Sequence, residues 1–313
     1  MVVNVVFMGT SAFAVPAIER LLGSRHAVLA VVTQPDRPQG RGRQIGYSPV
    51  KELAVKQRIR LLQPRRASDP QLLVEVKSMT PQVIVVAAYG QLLPPALLAI
   101  PPLGCVNVHA SLLPKYRGAA PVNWALIRGE PVTGVTIMLM DESLDTGPIL
   151  LQVELAIDPS DDAGTLQRRL ATSGAEALLR ALDGMESGEL KPMPQDQARA
   201  TYAPKLRKED GLIVWDRSAV DLGNLIRGVT PWPGAVTSHQ SKLLRVWRAT
   251  PMGGSEAGTP GRVASIDKLG VWVETGDGYL VLLEVQPASG RRMDAAAYAR
   301  GHGLRPGDVL GTC

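Results

Sequence analysis

The stretch VVNVVFMGTSAFAVPAIERLL, residues 2–22, decides the fold. Val2 to Met8 is an apolar run interrupted only by Asn4. Gly9 to Ser11 then turn the chain, and apolar residues recur at helical spacing to about Leu22. That is strand, turn, helix. The pattern repeats downstream. Ala27 to Thr33 reads as a second strand, Ser48 and Pro49 supply a cap and a first-turn proline for a helix through Gln57, and Pro81 to Ala88 reads as another buried strand. Fully apolar strands alternating with helices predict a parallel sheet covered on both faces. Val106 to Ala110 and Thr133 to Met140 extend it. Leu166, Leu170, Gly174, Ala177, Leu178 and Leu182 then fall at helical spacing, and Gly184 is expected to end that helix.

Residues 185–208 carry Gly188, Pro192, Pro194 and Pro204 without clear periodicity and read as an extended connector. Beyond it the chain changes character. Leu243 to Trp247, Val271 to Glu274 and Tyr279 to Val285 are short strand-like runs, with Asp277 and Gly278 at a hairpin turn. The expected organisation is therefore an α/β domain over residues 1–188, a linker over 189–208 and a small antiparallel β domain, a barrel, over 209–313. A chain of 313 residues with 45% hydrophobic content has enough apolar material for two such cores.

No run approaches the roughly 20 apolar residues of a membrane helix, and the first residues read as a strand rather than a basic leader, so a cytoplasmic location is expected. The two cysteines, Cys105 and Cys313, cannot build a disulfide framework, and the four histidines are scattered, so no metal is expected. The first turn has one glycine in place of G-x-G-x-x-G, which argues against a nicotinamide dinucleotide, and there is no Walker sequence. Charge is uneven. Residues 33–66 hold nine bases against two acids, residues 67–204 nine against fifteen, and residues 205–313 fourteen against eleven. Two separated basic regions fit either a polyanionic partner or a solvated basic face.

Three segments carry candidate chemistry. On a strand, alternate side chains share a face, so Asn107 and His109 project together while Val106 and Val108 take the other side. They are either hydrogen-bonded polar residues at a strand end or part of a site, and the loop Ser111 to Gly118 beyond the strand favours a site. Met140 to Gly147 places Asp141, Glu142 and Asp145 after another strand, where a carboxylate could orient an imidazole or simply solvate a turn. Gln34 to Arg43 is longer than most strand-to-helix connections and sets Arg37, Arg41 and Arg43 among glycines and prolines.

Taken together, Asn107 to His109, Ser111 to Pro121, Leu144 to Gly147, Thr33 to Arg43, Ser48 to Lys51, Ala88 to Pro94, Tyr202 to Lys208 and Pro231 to Pro233 closely resemble the methionyl-tRNA formyltransferases, within the folate-dependent formyltransferase family. The resemblance spans nearly the whole chain. It implies a Rossmann-like doubly wound parallel sheet domain followed by a small OB-like β-barrel. It also implies formyl transfer from 10-formyltetrahydrofolate to the methionyl amino group of initiator tRNA. By carry-over, Asn107, His109 and Asp145 are catalytic. Ser111, Leu112, Leu113, Pro114, Tyr89, Gly90 and Asp141 bind folate, and Arg37, Arg41, Arg43, Lys205, Lys208, Arg291 and Arg292 meet tRNA. An amino-sugar nucleotide formyltransferase would share the catalytic pattern; the Arg37 to Arg43 loop separates the two, because a small acceptor needs no extended basic surface.

Overall fold

The computed structural model describes residues 2–39, 44–253 and 258–311. The chain forms two compact units, one of Met1–Pro121, Val132–Ala156 and Gln167–Pro204, the other of Val122–Pro131, Ile157–Leu166 and Lys205–Cys313. Among the described residues no helix is long and apolar enough to cross a membrane.

The first unit is built on a seven-stranded sheet in the order Ile149–Ala156, Val132–Leu139, Cys105–His109, Val83–Ala87, Asn4–Gly9, Ala27–Val32, Leu61–Leu62. The last five of these run parallel, as the alternation of strands and helices predicts. Val6, Met8, Ile84, Val86 and Cys105 share a core with Leu72 and Val76 of helix Pro70–Ser78 and Leu97 of helix Pro95–Leu98. Each such fully buried aliphatic side chain is worth about 1.5–3 kcal/mol over leaving it in water. On the opposite face, helix Ala163–Ser187 brings Gly174 against Val108 and Val135. Helix Pro49–Lys56 starts where Ser48 and Pro49 put it, with the Ser48 hydroxyl accepting from Lys51 N at 3.1 Å. Here the hydroxyl satisfies one of the amides that a helix start leaves without a partner.

Two features differ from the sequence expectation. Val132–Leu139 runs antiparallel to Cys105–His109, and Ile149–Ala156 antiparallel to Val132–Leu139, so the sheet is mixed at one edge. An apolar run carries no direction, and the loop of residues 140–148 is too short for a crossover. The long helix also does not end at Gly184. It continues to Ser187, and Leu190 folds back onto the space a side chain at 184 would fill, 2.6 Å from a Cβ placed there. Gly188, with φ 76°, follows as the left-handed residue after the helix.

The second unit contains an antiparallel sheet in the order Ala235–His239, Lys242–Gly253, Gly278–Pro287, Val271–Glu274, Val263–Ile266, with Met293–Asp294 added on Gly278–Pro287. Asp277 lies in the turn between Val271–Glu274 and Gly278–Pro287, where the hairpin was expected. Helix Ala219–Val229, capped by Ser218 on Asp221 N, buries Leu222, Leu225 and Ile226. Val122–Pro131 and Ile157–Leu166 belong to this unit although they interrupt the first in sequence. Asn123 Nδ2 donates to Gly228 O at 2.8 Å, and the Arg227 guanidinium reaches the carbonyls of Asp158, Pro159 and Asp161.

Candidate active site

Strand Cys105–His109 alternates as predicted: Cys105 enters the core, and Asn107 and His109 follow on the same face. Burial pushes the Cys105 thiol up to about 12, so it is no thiolate at neutral pH. The His109 ring is 6% exposed, with Nε2 at 2.9 Å from Tyr116 O. A carbonyl only accepts, so Nε2 is the protonated nitrogen. Nδ1 then faces Asp145 Oδ2 at 3.8 Å.

Asp145 arrives by an indirect route. Because Val132–Leu139 is antiparallel, its end lies at the Cys105 end of the neighbouring strand, where Met140 N donates to Cys105 O. The loop of residues 140–148 folds back from there over the face that carries Asn107 and His109. Asp145 sits in it at φ 55°, a left-handed conformation that Asp tolerates better than most residues. Its Oδ2 accepts from Gly118 N at 2.8 Å and its Oδ1 from Asn107 Nδ2 at 3.4 Å. The carboxylate thus joins the strand, the loop after it and the imidazole. Three residues 38 positions apart at most in sequence are brought to one point.

The segment after His109 is fixed from below. Ser111 is fully buried, and its hydroxyl donates to Lys115 O. Thr136 Oγ1 donates to Ser111 O and accepts from Leu113 N, while Gln152 Nε2 donates to Leu113 O and to Thr136 Oγ1. Leu113 is buried, leaving Leu112 and Pro114 partly exposed. Tyr89 and Gly90 follow the adjacent parallel strand Val83–Ala87. The Tyr89 side chain is 1% exposed in the core, its phenol pushed up to about 12 by burial, and its carbonyl accepts from Thr10 Oγ1 and Gln34 Nε2. Asp141 lies at the Cys105 end, with its carboxylate bonded to Ser143 N and Thr146 Oγ1. Thr136 and Gln152 were visible in the sequence as polar interruptions of apolar strands, although nothing there said what they hold.

The basic candidates fall in both units. Arg37 is exposed at the start of the Arg37–Gln39 and Gln44–Gly46 pair; Arg41 and Arg43 lie outside the described residues. At the base of that segment, the Lys51 ammonium and Gln63 amide bind Asp36 and hold its carboxyl below the usual carboxylate range. In the second unit Lys205, Lys208, Arg291 and Arg292 are exposed, and Arg292 stacks 3.7 Å over the Trp247 ring. Among the described residues no group of three or more His, Cys, Asp or Glu side chains could hold a metal ion.

Residues 2–182 match the family model described as formyl transferase. The chain belongs to the formyl transferase family. Residues 205–303 of this formyl transferase also match the model for the family's C-terminal domain. It is 48% identical over 307 residues to the methionyl-tRNA formyltransferase of Trichlorobacter lovleyi, covering 98% of this chain and 96% of that one. It is equally similar to the protein of that name from Syntrophus aciditrophicus, over 99% of both chains. Among solved structures, it shares its fold with WlaRD, a sugar 3N-formyl transferase, at TM-score 0.67 and 15% identity over 92% of this chain and 99% of that one. HypX from Aquifex aeolicus, solved in complex with tetrahydrofolic acid, matches at TM-score 0.64 and 19% identity over 95% of this chain. This formyl transferase spans about half the length of HypX, 47%.

Proposed function

We propose that this formyl transferase moves the formyl group of 10-formyltetrahydrofolate to the free amino group of methionyl initiator tRNA, supplying formylmethionyl-tRNA for translation initiation in the cytoplasm. The observation that carries the acceptor is near-half identity along the whole length of both chains to proteins named for that reaction. The sugar formyl transferase shares 15% identity and speaks to the fold alone. Residues 1–188 serve formyl transfer, 189–208 link, and 209–313 serve the tRNA.

The amine attacks the formyl carbon; the new C–N bond forms as charge builds on the formyl oxygen, and the bond to the folate nitrogen then breaks. Asn107 is the donor to that oxygen, through the amide hydrogen not turned to Asp145, a contribution of about 3 kcal/mol for a well-placed donor. His109 has committed its Nε2–H to Tyr116 O, so the lone pair of the neutral ring is on Nδ1. Nδ1 takes the proton that the amine sheds, and the adjacent Asp145 carboxylate balances the imidazolium. The same proton passes to the departing folate nitrogen. No covalent enzyme intermediate is needed. Leu112 and Pro114, the partly exposed members of the Ser111 to Pro114 segment, together with the backbone of Tyr89 and Gly90 and with Asp141, are the folate contacts.

For the acceptor, Arg37, Arg41 and Arg43 with Lys205, Lys208, Arg291 and Arg292 supply phosphate contacts. Affinity for methionyl initiator tRNA, measured by filter binding across a salt series, should fall steeply with salt, and Arg41→Ala should reduce the log–log slope by about one unit. An unchanged slope together with unchanged formylation would remove the basic loop from acceptor binding.

A further inference from the structure

Among the described residues the largest fully buried side chain is Arg117, 1% exposed, immediately before the Gly118 amide that binds Asp145. A guanidinium taken out of water is ordinarily matched by a carboxylate. Among the described residues, the hydrogen bonds of this guanidinium go to neutral amides: Nε and Nη2 donate to Gln195 Oε1 at 3.1 and 2.7 Å, and Nη1 to Gln197 Oε1 at 2.9 Å. Gln195 is itself 7% exposed and spends its other end on the Asp145 loop. Its Nε2 donates to Asp145 O at 2.9 Å and to Gly147 O at 2.7 Å. One amide therefore ties the residue before Gly118 to the residue whose carboxylate Gly118 binds. The connector that carries Gln195 is fastened on both sides of it. Met193 pairs with Ile149, and Tyr202–Ala203 pairs in parallel with Arg117–Gly118, with Thr201 Oγ1 accepting from Tyr116 N.

We infer that Gln195, a connector residue, is a positioning residue for formyl transfer: it holds Asp145 in its left-handed conformation at His109 by bonding the Asp145 carbonyl, with the buried Arg117 as its anchor. This rests on the reading of Asp145 as catalytic. The chemistry requires an amide at this position, because one end must accept from a guanidinium while the other donates to two carbonyls. A carboxylate does the first and not the second. An unsupported left-handed non-glycine residue relaxes toward ordinary backbone, and a shift of about 1 Å in a catalytic group costs about a hundredfold in rate.

The test uses Gln195→Glu, Gln195→Met, Asp145→Asn and the Asp145→Asn/Gln195→Glu double variant, in steady-state formylation of methionyl initiator tRNA with both substrates varied and rates referred to the folded fraction. Gln195→Glu keeps an acceptor for Arg117 and is expected to melt near the unsubstituted protein. Its kcat should nevertheless fall about a hundredfold, with KM for either substrate changing less than about threefold. Gln195→Met should lose kcat and melt lower. The double variant should be no slower than Asp145→Asn alone, since a residue that acts through Asp145 has nothing left to position. Near-normal kcat in Gln195→Glu would reduce Gln195 to a structural partner of Arg117 and overturn the inference. So would fully multiplicative losses in the double variant. If Asp145→Asn is slow while Gln195→Glu is normal, the positioning claim alone fails; if Asp145→Asn turns over normally, the catalytic reading fails and takes the inference with it.

Discussion

Asp145→Asn should lower kcat for formyl transfer by about 10²–10⁴-fold, the range in which positioned proton transfer contributes, while tRNA affinity stays within a factor of about two. The substitution keeps the size of the side chain. An amide oxygen at the Oδ2 position could still accept from Gly118 N, while the amide nitrogen then stands at the Oδ1 position against Asn107 Nδ2, a donor facing a donor, so that bond is lost. Also lost is the negative charge 3.8 Å from His109 Nδ1, needed when that nitrogen takes the amine's proton. His109→Ala removes the proposed proton carrier itself and should show a loss in the same range, again in kcat. Rapid-quench formation of formylmethionyl-tRNA with saturating donor reads this step directly. A rate for either variant within a few-fold of the unsubstituted protein would refute the proton path.

Gly147→Ala should be the most damaging single methyl in the first unit. A Cβ at 147 would overlap the carbonyl oxygen of Leu139, an atom fixed by the sheet, and would come within 3.3 Å of the Met138 side chain. Met138 is in a small buried cluster with Leu113 and Ile149, so it has little room to yield. The backbone of residues 145–147 must therefore move, which breaks the Gln195 bond to Gly147 O and shifts Asp145. Overpacking of this kind costs about 1–3 kcal/mol, and the upper end is expected where the obstacle is backbone. Urea unfolding should show the lower midpoint with an unchanged slope, and kcat should fall in the fraction that remains folded. Full stability with full activity would mean that the loop can accommodate the methyl group and that its course is not set at Gly147.

Much of this architecture was legible in the residues because it rests on local rules. The run from Val2 to Met8 and its echoes at Ala27 and Pro81 specify buried parallel strands, and Ser48 with Pro49 specifies a helix start by the bond the hydroxyl makes. Asn107 and His109 share a face because strand side chains alternate. What the sequence hid is what depends on long-range partners. Nothing in Thr133 to Met140 encodes the direction of that strand, so the side from which Asp145 approaches was not readable. Gly184 has the chemistry of a helix terminator and became a packing notch because Leu190 folds back over it. Gln195 is the sharpest case. It sits in a segment without periodicity, read as a tether, and its importance comes entirely from the guanidinium on one side and two carbonyls on the other. A resemblance in sequence could propose residues that touch substrate, whereas a positioning residue can be proposed only when the hydrogen bonds are in place.

The proposed reaction joins a formyl-transfer centre at Asn107, His109 and Asp145 to a tRNA acceptor. The measurement that tests it most directly supplies 10-formyltetrahydrofolate with a labelled formyl group to the purified protein and offers methionyl initiator tRNA, methionyl elongator tRNA and an amino-sugar nucleotide in parallel. Label should appear on the methionyl amino group of initiator tRNA, at a rate that collapses with Asp145→Asn. Label on the amino sugar, with none on either tRNA, would rule out tRNA as the acceptor.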